Sequence, residues 1–337
     1  MIKPWLFEFF RAVHDPIGRD DPATVHEQFR RYLDLWTDDE TLGFEGIFFS
    51  EHHFGPGYSP SPNLVIAHLA ARTTTLRLGV LGSVSAYATP WRVAEEFAML
   101  DHLTQGRLEM GVVSGIPPEL AVVGIPREKA AEVHAETLDV LLAAIAKPAV
   151  SHQGKHYSLD DVRITPAFLR PSPPVWTAST SEASARRAGS LGLKMCGGFA
   201  DVDKLVPVYQ AYQDAAREAG MPTGPDQVGI RRAVMIVEDE ADRDRAGELG
   251  REGIETHMRV SLDSLKIPDA PHMPLSPDEL IYGTPAQVAD EIIRQCRALG
   301  AGNFIANFNI FDLTELRKAH ELFGREVTPR LRAAQIG

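Results

Sequence analysis

A chain of 337 residues can bury about three quarters of the surface its unfolded form exposes, so neither disulfides nor a structural metal is needed to hold a core. Its 46 acidic and 34 basic side chains leave a formal charge of −12, which argues against a nucleic-acid surface, because phosphate backbones are bound by clustered Lys and Arg. With 44% hydrophobic and 24% charged residues the composition is that of an ordinary globular protein, and no stretch approaches the roughly 20 apolar residues of a membrane-spanning helix.

The N-terminal run MIKPWLFEFFRAVHD is short and aromatic and has no small-residue cleavage site. It is therefore not read as a signal peptide. Residues 5–10, WLFEFF, read instead as a first strand, ended by a polar loop that carries His14. A helix follows at about 24–43, with Thr24 as N-cap, Glu27 three residues on as in a capping box, and Gly43 at its end. Residues 44–50 form the second strand, 62–72 a helix that opens on a proline, and 76–81 the third strand. A helix over 90–103 leads to a fourth strand at 108–113, then a loop over 115–126 and a helix over 128–146. The polar stretch 148–170 is expected to form a small surface hairpin. Strands at 175–178, 193–197 and 228–237 alternate with helices at 182–191, 203–219 and 239–259. Residues 261–284 are Pro-rich and aperiodic, a candidate mobile loop. Thr284 and Pro285 open a helix to Leu299, residues 303–307 make the eighth strand, and a helix over 312–332 closes the chain.

Eight strands, each followed by a helix, give a parallel sheet, and eight continuously apolar strands point to a closed (β/α)8 TIM barrel over residues 1–337 as one domain. The competing architecture is an open doubly wound sheet, which announces itself with GxGxxG after the first strand; that position here reads AVHDPIGRDDP. The two cysteines, Cys196 and Cys296, stand outside any CxxC pair or zinc spacing, so no metal site is expected, and such sparse usage fits a reducing cytoplasm.

In a barrel, active sites lie at the C-terminal ends of the strands. That rule gathers Glu51, His52, His53, Ser83, Ser85, Ser114, residues 179–184, Gly197, Gly198, Asn307 and Asn309 onto one rim. Adjacent side chains at a strand end point in opposite directions, so His52 and His53 are poorly placed to chelate one metal. Either can serve as an acid or base, or be satisfied by structural hydrogen bonds. Thr180, Ser181 and Ser184 at a helix start can bind an anion or merely cap the helix. Gly82 and Gly115 let something flat approach the backbone, or serve the turns alone. Arg92, Glu95, Asp101 and Arg107 are expected to form ion pairs with one another.

Five segments in register then carry a resemblance: SEHHF, SPNLVIAHLAARTTTLRLG, TPWRVAEEFAMLDHLTQGRLEMGVVSG, ASTSEASARRAGSLGL and GTPAQVADEI. Together they resemble the bacterial luciferase-like flavin monooxygenases, over nearly the whole chain and most densely over residues 44–115. The resemblance implies a barrel that takes reduced FMN from a separate flavin reductase and, through a C4a-peroxyflavin formed with O2, oxygenates a small, largely apolar organic substrate. It implies His52 as catalytic acid–base residue and a non-prolyl cis peptide at Leu81-Gly82 beneath the isoalloxazine ring. Ser181 and Ser184, with backbone help from Thr180, match the phosphate-binding hydroxyls. Val113, Ser114 and Gly115 fall beside the flavin, but Val113 stands where the luciferase α chain has a reactive Cys, and Ser114 where it has an Arg that reaches the phosphate. Flavin is accordingly expected to be held weakly, as a diffusing substrate. His53, Phe54 and Tyr58 are expected to line a substrate pocket, with Trp5, Phe7 and Phe9 nearby. A homodimer is expected from the family. An F420-dependent oxidoreductase of the same superfamily is the first alternative, a non-catalytic flavin-binding paralogue like the luciferase β chain the second, and a metal-dependent barrel hydrolase the third.

Overall fold

The computed structural model describes residues 1–12, 21–55, 57–267 and 275–336. The chain opens with β1 (Lys3–Glu8), α1 (Pro22–Asp38), β2 (Gly46–Phe49), α2 (Pro62–Ala70), β3 (Arg77–Val80) and the two-residue β4 (Ser83–Val84). It continues through α3 (Pro90–Leu103), β5 (Leu108–Val113), α4 (Pro117–Val122), α5 (Arg127–Ala146), and the strands β6 (Val150–Gln153), β7 (Ser158–Val162) and β8 (Val175–Ala178). Then come α6 (Glu182–Ser190), β9 (Lys194–Gly197), α7 (Val202–Glu218), β10 (Val228–Ile236), α8 (Arg243–Ser264) and β11 (Leu280–Gly283). The last elements are α9 (Pro285–Leu299), β12 (Asn303–Asn307), α10 (Leu313–Leu322) and α11 (Thr328–Ala333).

Eight of these strands close into a parallel ring in the order β1-β2-β3-β5-β8-β9-β10-β12, with β12 pairing back onto β1 through Lys3–Asn303 to Leu6–Ala306. This is the expected (β/α)8 barrel, built from the eight expected strands. The antiparallel β6–β7 hairpin stands outside it. A ninth parallel strand, β11, pairs with the second half of β10, Ala233 to Ile236, beyond the point where β9 leaves it.

Two cores result. Between the ring and the helices lies a continuous apolar layer that includes Leu6, Ile47, Leu78, Met110, Val234 and Phe304. Inside the ring Trp5, Phe48 and Trp176 pack with ring centroids 5.0 to 6.3 Å apart. Each indole N–H is satisfied there, Trp5 by Asn303 at 3.0 Å and Trp176 by Glu109 at 2.5 Å, as burial of a polar atom requires. This aromatic plug seals the N-terminal end of the barrel and leaves the C-terminal end open.

Several local expectations need correction. The N-cap of α1 is Asp21, which accepts from the N–H groups of Ala23 and Thr24, because Pro22 suits the first helical position and starts the helix three residues before the expected Thr24 cap. The 115–126 segment contains α4. The aperiodic 261–284 stretch includes the last turn of α8 and all of β11, whose four residues are too short to signal a strand; residues 268–274 lie outside the described part. The closing helix is broken by a π-turn at Phe323–Val327, just before Pro329, which has no N–H to continue the ladder. The four charged residues near α3 do not pair with one another. Asp101 holds Arg170, Arg92 pairs with Glu96, and the Arg107 guanidinium donates to the carbonyls of Ala70, Thr73, Leu76 and Thr104 and to the Thr73 hydroxyl.

Candidate functional site

Every strand of the ring from β1 to β10 sends residues to one cavity of about 530 Å3 at the C-terminal mouth. Its size falls within the roughly 300–1,000 Å3 of small-molecule and cofactor sites. The floor is formed by Phe7 near the end of β1, Leu81 and Gly82 after β3, and Cys196 and Gly197 at the end of β9. The Leu81–Gly82 peptide is cis. A Cβ on Gly82 would lie 3.0 Å from the Gly111 carbonyl carbon and from Val113 Cγ1, so that position is bare backbone packed against β5. Gly115, at φ +96°, turns the chain out of β5 where a side chain would meet Val84 at 2.8 Å.

One wall is ionic. His52 Nδ1 lies 2.8 Å from Glu119 Oε1. Glu119 comes from α4 and is 3% exposed, and its second oxygen has no hydrogen-bond partner among the described residues. A carboxylate on Nδ1 fixes the imidazole tautomer and leaves Nε2 as the ring atom free to act in the cavity. Phe9 stacks on His52 at 5.6 Å and meets His257 of α8 at 4.5 Å. Burial, with Arg11, His52 and Arg231 nearby, drives His257 well below the usual histidine range, so it stays neutral.

The opposite wall carries hydroxyls and cations. Thr177, Ser179, Thr180 and Ser184 line it at the β8–α6 junction, together with Arg187 of α6. Ser181 is the N-cap of α6: its Oγ accepts from Ser184 N at 3.3 Å and lies 2.9 Å from Ser184 Oγ. His134, on α5, reaches Ser85 Oγ at 3.2 Å, and burial followed by Arg187 pushes its imidazole down to about 4. Arg231 is tied to Glu279, and its guanidinium lies 4.1 Å from the centroid of Phe199, an exposed ring held at φ +62° at the mouth. Cys196 is a thiol: burial pushes it up to about 12.

Of the residues singled out in the sequence, Phe7, Phe9, Glu51, His52, Leu81, Gly82, Val113, Ser114, Gly115, Ser179, Thr180, Ser184, Gly197 and Gly198 meet in this cavity, with Ser181 as the cap beside it. Others lie outside its lining. His53 Nε2 contacts Glu51 at 3.2 Å, and Glu51 also accepts from Ser83 and the Val84 N–H; the carboxylate raises the His53 pKa. Phe54 is 51% exposed, and Tyr58 packs on Phe10 and Phe29. Trp5 belongs to the aromatic plug, Asn307 donates to the Phe7 carbonyl, and Asn309 accepts from Arg11. His14 falls outside the described residues. The rim reading missed Glu119, His134, Arg187, Phe199 and Arg231. Glu119 alone had a usable signal, an acid in the long loop after the fourth strand.

The profile of the family described as luciferase-like monooxygenase matches residues 9–302. An uncharacterised protein, y4wF, of Sinorhizobium fredii is 30% identical over 90% of this chain and 91% of its own length. The 4-hydroxyprotoasukamycin monooxygenase of Streptomyces nodosus subsp. asukaensis is 28% identical over 98% and 92%. Among solved structures, monooxygenase RslO1 from Streptomyces bottropensis superimposes with a TM-score of 0.80 at 23% identity, covering 97% of this chain and 99% of that one. The oxygenating constituent of 3,6-diketocamphane monooxygenase from Pseudomonas putida, solved with FMN, gives 0.76 at 18% identity, covering 98% of each chain. An F420-dependent secondary alcohol dehydrogenase gives 0.77 at 16% identity, covering 98% of this chain and 99% of that one. At these identities the structural likeness speaks for the fold, which proteins of either cofactor share.

Proposed function

This chain belongs to the luciferase-like monooxygenase family, and we propose from that premise that it is the oxygenating half of a two-component system. It takes reduced FMN from a separate flavin reductase and inserts one atom of O2 into a small, largely apolar organic substrate. The observation that carries the reading is the His52–Glu119 pair beside an apolar cavity whose floor includes the bare backbone of Gly82.

The residues fit a flavin nucleotide. A flat ring can lie on an apolar floor that is bare backbone at Gly82 and Gly197, and Ser179, buried with no Oγ partner among the described residues, lines the cavity three residues before α6 begins. When bound, reduced flavin supplies the electrons that activate oxygen. The protein's part is positioning, dryness and proton handling. Phe7, Phe9, Leu81 and Leu138 keep water from the floor, since a protein must exclude water and stray protons from activated oxygen to avoid losing it as hydrogen peroxide. His52 holds or releases a proton at Nε2 while Glu119 keeps Nδ1–H in place and balances the imidazolium charge. The Cys196 thiol, protonated at neutral pH, takes no nucleophilic role.

The test is anaerobic loading with reduced FMN followed by rapid mixing with oxygenated buffer. The expected result is a transient absorbance distinct from both reduced and oxidised flavin, with reoxidation slower than for free flavin. Immediate reoxidation with stoichiometric hydrogen peroxide, in native protein that binds FMN, would overturn the reading. Reduction of F420 by the same protein with an alcohol would favour hydride transfer instead.

A further inference from the structure

We propose that Arg187 supplies the cation for the flavin phosphate in this chain, in place of the strand-end arginine that Ser114 lacks, and so makes the site select phosphorylated over unphosphorylated flavin. The proposal rests on the flavin reading above and names the residue that sets its specificity.

Two arginines line the cavity, and they differ in one respect. Arg231 is committed to Glu279, whereas the Arg187 guanidinium makes no hydrogen bond or ion pair with any described residue. Arg187 is exposed on the cavity wall; a guanidinium there with no counter-charge among the described residues is set to receive an anion, and its planar fork suits a phosphate bidentately. Its field is felt across the wall, where it adds to burial in holding His134 neutral. The start of α6 contributes the N–H groups of Glu182 and Ala183, which have no intrahelical carbonyl to bond.

The independent sign of a ligand is Ser179. It is 3% exposed, it lines the cavity, and its Oγ has no partner among the described residues, an arrangement that is unfavourable unless something bound there completes it. Thr180, Ser184 and Arg187 line the same wall. A phosphate monoester satisfies all of these at once: its oxygens accept from Ser179 Oγ, from the first-turn N–H groups and from the guanidinium. A neutral hydroxyl in its place satisfies none of the charge.

Equilibrium dialysis under anaerobic conditions, with dithionite-reduced FMN and with reduced riboflavin, decides the matter. The native chain is expected to bind FMN about 10- to 100-fold more tightly than riboflavin. Arg187→Ala should weaken FMN to near the riboflavin level and leave riboflavin unchanged. Arg187→Lys should recover part of the preference, because it keeps the charge and loses the fork. Arg187→Glu should weaken FMN further, and Ser179→Ala should weaken it by a smaller factor. An unchanged FMN-to-riboflavin ratio in Arg187→Ala and Arg187→Glu would overturn the proposal while leaving flavin binding intact. Binding of neither flavin by the native chain would overturn the flavin reading, and the proposal with it.

Discussion

Glu119→Gln separates what the carboxylate does for His52 from what it does for the fold. The native contact, 2.8 Å between His52 Nδ1 and a carboxylate 3% exposed, is charge-assisted. Glutamine keeps a carbonyl oxygen to accept from Nδ1–H, so the ring stays in its tautomer, but the charge that balances an imidazolium is gone. A charge-assisted hydrogen bond contributes about 1.5–3 kcal/mol and a neutral one about 1, a difference of about 0.5–2 kcal/mol. That difference corresponds to a slowing of about 2- to 30-fold in any step where His52 gains a proton. The assay is single-turnover stopped-flow of protein loaded with reduced FMN against oxygen; the relevant phase is the one His52→Ala abolishes. Stability should move the other way. The second Glu119 oxygen is buried without a partner, so neutralising the group should leave the melting temperature unchanged or raise it by about 2 °C. A His52-dependent phase with its native rate in Glu119→Gln would refute the claim that Glu119 positions and charges the histidine. A large fall in melting temperature would refute the reading of that oxygen as unsatisfied.

Three further outcomes follow from the packing. Burial pushes the Glu40 carboxyl up, but the N–H groups of Thr75, Leu76 and Thr74 more than offset this and draw it from its ordinary 4.5 to about 2. A depressed folded value stabilises above the unfolded one, so Glu40→Ala should cost about 1–2 kcal/mol at neutral pH, and the deficit should disappear as pH falls from about 4.5 through about 2. Acid titrations followed by circular dichroism read this. Gly111→Ala would place a Cβ 2.1 Å from the Val80 carbonyl oxygen and 3.1 Å from Leu81 Cα. It should destabilise by about 2–3 kcal/mol and loosen flavin binding by displacing the floor, seen in thermal melts and in dialysis. Asp101→Ala removes the carboxylate that holds the Arg170 N–H at 2.9 Å and its Nε at 2.7 Å; it should cost about 3 kcal/mol in urea unfolding, because an arginine partly buried against the barrel is left unpaired.

The barrel was legible in the sequence because its signal is local and repeated. The segments 108–113, 175–178 and 303–307 match observed strands residue for residue, each a short apolar run bounded by helices with Pro, Gly or polar ends. Where one residue competes with another for the same local role, the sequence was less decisive. Asp21 and Thr24 both cap helices well, and only the Asp21-Pro22 geometry chose between them. β11 was invisible because four residues have no period, and what makes Leu280 to Gly283 a strand is the free edge on the second half of β10.

The site divides along the same line. Residues at strand ends reach the rim by the alternation of the strand itself, so His52, Leu81, Gly82, Ser114 and the Thr180–Ser184 turn could be gathered from sequence position and family likeness. Glu119, Arg187 and Arg231 could not. Each comes from a loop helix, a covering helix or deep within a strand, and whether such a side chain meets the cavity, an ion-pair partner or solvent depends on contacts more than 40 residues away in the chain. Glu119 finds His52 67 residues away, and Arg231 is taken by Glu279 48 residues away. Local pattern dictates strand, helix and turn, and so the barrel and one half of its mouth could be read from the chain alone. Which charges are paired, like Arg231, and which, like the exposed Arg187, have no described partner depends on packing and not on spacing along the chain.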